Sequence, residues 1–123
     1  MNNREARKVN FLKRPMPHEL GELAAALSML VWFITQHPDR PDLTQQAMDE
    51  PSAYAEWLIP QVSPQLQSEI TEIYTSLQEW QRDWLQINAN EIQQRTISKQ
   101  LREWSDRMLD ASGLVEERLR EVA

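Results

Sequence analysis

The sequence predicts an all-α protein: a small bundle of four or five helices containing a long antiparallel hairpin over about residues 63–111. Three observations carry this reading. Leu66, Ile70, Ile73, Leu77, Trp80, Trp84 and Ile87 recur four and three residues apart without a miss, the spacing that lines side chains along one stripe of a helix. Ile97, Leu101, Trp104, Met108, Ala111 and Val115 form a second ladder of the same kind. Only two glycines occur in 123 residues, and runs of β-branched residues are short, so a protein of strands and tight turns has little to be built from.

In chain order, residues 1–17 read as a flexible basic arm. Arg4, Arg7, Lys8, Lys13 and Arg14 stand against Glu5 alone, and Pro15 and Pro17 disfavour helix at the residues before them. Val9, Phe11 and Leu12 alternate with polar residues, which suits a short docking peptide that orders on a partner. Residues 18–123 read as a single helical domain, the size expected for one core.

The first helix of that domain spans about 18–36. Glu19 and Glu22 occupy its first turn, where carboxylates suit the positive end of the helix, and apolar residues follow on every side. Such a helix is expected to be a buried central stave. Its apolar run falls short of the roughly 20 residues that span a bilayer and is bounded by Glu22 and by His37, Pro38 and Asp39, so no membrane role is expected.

His37 to Pro41 reads as a stop. A short helix over 42–50 ends at Pro51, and another over 53–59 presents Tyr54, Trp57 and Leu58 before Pro60. Together they form a lid. Ser63 followed by Pro64 is a strong helix start, a capping hydroxyl ahead of a proline in the first turn.

Beyond Ile87 the ladder changes phase at Asn88, Ala89 and Asn90. Folding the chain back there sets Leu77 opposite Leu101, Trp80 opposite Ile97, Ile73 opposite Trp104 and Ile70 opposite Met108. The alternative is one long helix with a stutter at the same place. Ser112 and Gly113 end the second arm, and 114–122 reads as a short terminal helix.

The chemistry in the sequence is sparse. No cysteine is present, which removes disulfides, thiolate nucleophiles and cysteine-based metal sites and fits a reducing cytoplasm. His18 and His37 lie at opposite ends of one helix, ~28 Å apart at ~1.5 Å per residue, so they cannot share a site within one chain. His18 and Glu22 are one turn apart, but glutamate stands where a zinc helix needs its second histidine. Glu69 with Glu72 and Glu79 with Asp83 could serve as acid and base, yet their spacing equally describes a solvated helix face. No metal, cofactor or catalytic residue is expected.

The net charge of −6 combines a basic arm with an acidic body, and an acidic body repels phosphate backbones at long range. The function expected is therefore a non-catalytic, cytoplasmic subunit that binds a protein partner within a larger complex. Its candidate contacts are Arg4, Arg7, Lys8, Lys13 and Arg14 in the arm. A second basic stripe, Arg95, Lys99, Arg102 and Arg107, lies on the last long helix. In size and helix content the chain also resembles the small all-helical subunits of CRISPR effector complexes. That resemblance implies contact with nucleic acid through the same basic residues.

Overall fold

The computed structural model describes residues 3–13 and 15–113. Six α-helices lie among them: α1 (Asn3–Leu12), α2 (Met16–Gln36), α3 (Pro41–Ala47), α4 (Asp49–Leu58), α5 (Pro64–Asn88) and α6 (Glu91–Ser112), with a 3-10 turn at Ile59–Gln61 between α4 and α5. The chain is an all-α bundle. The expected terminal helix over 114–122 lies outside the described residues, as does Arg14.

Prolines place several helix starts. Pro17, Pro41, Pro51 and Pro64 all sit in first turns, where the missing N–H would have had no intrahelical acceptor. Pro51 therefore does not end a helix, as its position in the sequence suggested. Instead α3 stops at Ala47 and Met48 links it to α4, with Ser52 N bonding back to Met48 O at 3.2 Å. Ser63 caps α5 by accepting from Leu66 N, and Asn90 caps α6 by accepting from Gln93 N at 3.0 Å. Gly113 closes α6 with a φ of 71°, a left-handed conformation that glycine adopts without steric cost.

Four long elements form the frame. α2 lies along α6, α6 turns back from α5, α5 packs on α4, and α4 returns to α2, leaving α2 and α5 diagonal to each other. α3 bridges α2 and α5. Leu23, Leu27, Leu30, Met48, Leu58, Ile70, Ile73, Leu77, Trp84, Leu101 and Met108 are fully enclosed at the centre. No helix among the described residues is long and apolar enough to cross a membrane.

The hairpin of α5 and α6 turns at Ala89. Asn88 Nδ2 donates to Pro38 O at 3.0 Å, tying the turn to the loop after α2. Arg107 Nε meets Glu69 Oε1 at 3.0 Å, next to the expected rung of Ile70 and Met108. Trp80 lines a hollow with Ile87 and Ile97, and its ring also stacks on Trp104 at 5.5 Å. Side chains lean toward the N-terminus of their own helix, so in an antiparallel pair these two indoles lean toward each other across an offset of about two turns.

The broadest helix contact, between α2 and α6, is antiparallel and built on small residues. Ser98, Ser105 and Ser112 recur every seven residues along α6, and Ser98 and Ser112 are buried. Ser105 Oγ donates to Ala24 O at 2.8 Å, a contact that requires close helix approach. The sequence marked Ser112 only as a helix end and gave none of these serines a packing role. α2 is thus seated against the second arm of the hairpin rather than against both.

The arm is more structured than expected. Residues 3–12 form α1, anchored by Phe11, which is buried and stacks on Tyr54 at 4.6 Å and against Trp57 at 5.6 Å. The physical reason is the aromatic seat on α4, which the sequence of the arm cannot reveal. Tyr54 donates to Glu50 Oε1 at 2.7 Å, and burial together with that acid pushes its phenol up to about 12, so it remains a neutral donor. Phe11→Ala should release α1 alone: hydrogen exchange over residues 3–12 should accelerate while α5 and α6 keep their protection.

Glu19 is buried in the first turn of α2, and burial raises its carboxyl above the ordinary range despite the favourable helix terminus. A raised acid pKa means that the folded state holds the proton more tightly than the unfolded chain. Its contribution to stability is present in acid and is lost as pH rises through the folded value. Glu19→Gln should therefore raise the urea midpoint at neutral pH, with the gain shrinking toward about pH 4, near the ordinary glutamate value.

Candidate interaction surface

α2 contains a run of fourteen residues, 23–36, without a charged side chain. Leu23, Leu27, Leu30 and Ile34 face inward. The opposite side carries Ala25, Ser28, Met29 and Trp32 at helical spacing, lining a shallow apolar depression. Met29 is 54% and Trp32 49% exposed. α2 is accordingly not buried on every side, which corrects the central-stave expectation: its neighbours α4 and α6 cover only one flank each.

Trp32 is held at the surface by other rings. Its indole stands edge-on to Phe33 at 5.2 Å and to His37 at 4.9 Å, and Thr35 Oγ1 donates to Val31 O at 2.9 Å beside it. A large aromatic so positioned has little freedom to lose on binding.

The same edge of α2 continues into a groove shared with α6. Ile34, Thr35 and Pro38 line one wall, and Gln94, Arg95, Ser98 and Arg102 line the other. The Ser105–Ala24 bond sets the register, which brings Arg102 level with about position 27 and Arg95 with Ile34. Arg95 bonds Glu91 at 2.7 Å with both side chains largely in solvent, an arrangement that adds little to stability. Lys99 and Arg102 are exposed and carry no ion pair among the described residues.

Comparison with known proteins found no matching family model, curated protein or solved structure.

The basic residues singled out from the sequence fall in separate places. Arg4 pairs with Glu56 on α4, and with Arg7 it lines a polar cleft between α1, α4 and α5 that also holds Asp49, Glu56 and Tyr74. Lys8 and Lys13 are exposed. Arg107 turns toward α5 and Glu69, away from the α2 groove. Only Arg95 and Arg102 line that groove, with Lys99 exposed between them in sequence.

The carboxylates of α5 are dispersed in the same way. Glu69 is taken up by Arg107 and Asp83 by Arg82, whose guanidinium holds the Asp83 carboxyl below its usual range. Glu72 and Glu79 are exposed. Among the described residues no group of three His, Asp or Glu side chains converges to hold a metal ion.

Met29 and Trp32 were missed because an apolar run with no polar interruption reads as core. The available signal was Ala25 and Ser28, small residues sharing their face, set against a leucine stripe that already fills the inward side.

Proposed function

We propose that this protein is a non-catalytic, cytoplasmic helical subunit that binds a protein partner through the solvent-facing side of α2. The observation that carries this reading is the half-exposed pair Met29 and Trp32 on an uncharged helix face in an otherwise charged protein. Apolar and aromatic residues grouped on a surface mark interaction sites, and tryptophan is prominent among residues that dominate binding energy.

The test compares tagged full-length protein with the double variant Met29→Ser and Trp32→Ser, recovered from the native source. Both positions face solvent, so the free energy of unfolding in urea should stay within about 0.5 kcal/mol of the parent. A stoichiometric partner held by the parent should be lost from the variant and retained by an Arg7→Gln control. Retention of that partner by the double variant overturns the reading.

A second reading, a small subunit of a nucleoprotein complex, is favoured by the exposed Lys99 and Arg102, which carry no ion pair among the described residues. It predicts single-stranded or duplex nucleic-acid binding that weakens steeply with salt. No binding at low salt, by the protein or by its complex, removes it.

A further inference from the structure

We infer that the segment received by the α2 face is an acidic amphipathic helix of the partner, its apolar edge on Met29 and Trp32 and its carboxylates against Arg102, Lys99 and Arg95. This deepens the protein-binding reading above and rests on it.

Charge decides the class of partner. The chain outside its first residues is strongly acidic, so an anionic segment is repelled by most of the surface. Along the groove the balance reverses. Arg102 and Arg95 line it, Lys99 stands exposed one turn from each, and Glu91 is the only acid among the groove-lining residues. The apolar depression beside it is uncharged. A segment with apolar residues along one edge and carboxylates along the next therefore matches both surfaces at once. Guanidinium groups suit the task because they hold carboxylates in paired, directional hydrogen bonds.

Geometry decides its shape. Ala25 to Trp32 covers ~10 Å of α2 at ~1.5 Å per residue, the footprint of about two helical turns. The depression lies on α2 over 25–32, and from Ile34 onward the groove between α2 and the antiparallel α6 follows it, a path along helices that suits a third helix with anchors at i, i+3, i+4 and i+7. No strand edge exists among the described residues to pair with an extended peptide. A nucleic acid would also meet the three cations, but it would set its phosphates on an uncharged patch in an acidic surround, so the helical peptide is favoured.

The test uses the full-length protein and three probes in low salt, followed by calorimetry. One probe is a helix-forming peptide with leucines at i, i+3, i+4 and i+7 flanked by glutamates. Its twin carries lysines in place of the glutamates, and the third is a single-stranded oligonucleotide. The acidic peptide should bind at least about tenfold more tightly than its lysine twin. Arg102→Glu with Lys99→Glu should reverse that preference, and Met29→Ser with Trp32→Ser should abolish both peptide complexes. Equal binding of the two peptides, with both dependent on Trp32, overturns the acidic assignment while leaving the protein-binding reading intact. Absence of binding by the acidic peptide, or tighter binding of the oligonucleotide, also overturns it. The partner-retention experiment judges the broader reading separately.

Discussion

Trp84→Ala should lower the free energy of unfolding by ~3–5 kcal/mol, the loss usual for a large aromatic cut out of a core. Trp84 is fully enclosed in α5 within the core that also holds Ile73, Leu77 and Leu101. Its neighbours are fixed on packed helices, so the space left behind cannot close. Urea unfolding reads the effect, and sedimentation should show an unchanged association state. Leu77→Ala belongs to the same class, at ~2–5 kcal/mol. A change in association with unaltered monomer stability would mean instead that the ladder serves as an intermolecular surface. Trp84→Phe should cost less than alanine, because it keeps most of the ring and also removes an indole Nε1 that is buried without an acceptor.

Ser105→Leu should be the most damaging change in the α2–α6 seam. It removes the hydrogen bond to Ala24 O, worth about 1 kcal/mol, and forces a branched side chain between closely approached helices, at a further ~1–3 kcal/mol. Ser105→Ala is the control, losing the bond without adding bulk. If the two variants unfold at the same denaturant concentration, close approach is not what the serine provides. The leucine variant should also weaken whatever binds the α2 face, since Arg102 and Thr35 are held together by the register of this seam.

Much of the fold was legible because its signals are local. The ladder from Leu66 to Ile87 became α5 with Ile70, Ile73, Leu77, Trp84 and Ile87 turned inward. The second ladder from Ile97 to Ala111 lies on α6, Ser63 and Gly113 stand at helix ends as expected, and Asn90, at the phase change, caps α6. Errors came where a residue's meaning depends on something distant. Pro51 reads as a stop until its place in the first turn of α4 is known. Phe11 reads as part of a loose arm until Tyr54 and Trp57 provide a seat.

The candidate surface was less legible. Arg95, Lys99 and Arg102 were picked out by charge, whereas Trp32 and Met29, which give that charge an apolar neighbour, were assigned to the core. Arg4, Arg7 and Arg107 were grouped with them by charge and lie on other sides of the bundle. Sequence lists like charges together, and only the packing of α1 on α4 and of Arg107 on Glu69 separates them.

By itself the sequence determined where the two arms of the hairpin, α5 and α6, run and which stripe of each is apolar, since capping and a 3.6-residue period are properties of neighbouring residues. Tertiary structure alone decided which stripe meets which. The uncharged run of α2 has apolar residues on all sides and so carries no phase of its own. Its orientation was set by Ser105 against Ala24 and by α4 on the opposite flank, and the side left over became the surface that holds Met29 and Trp32.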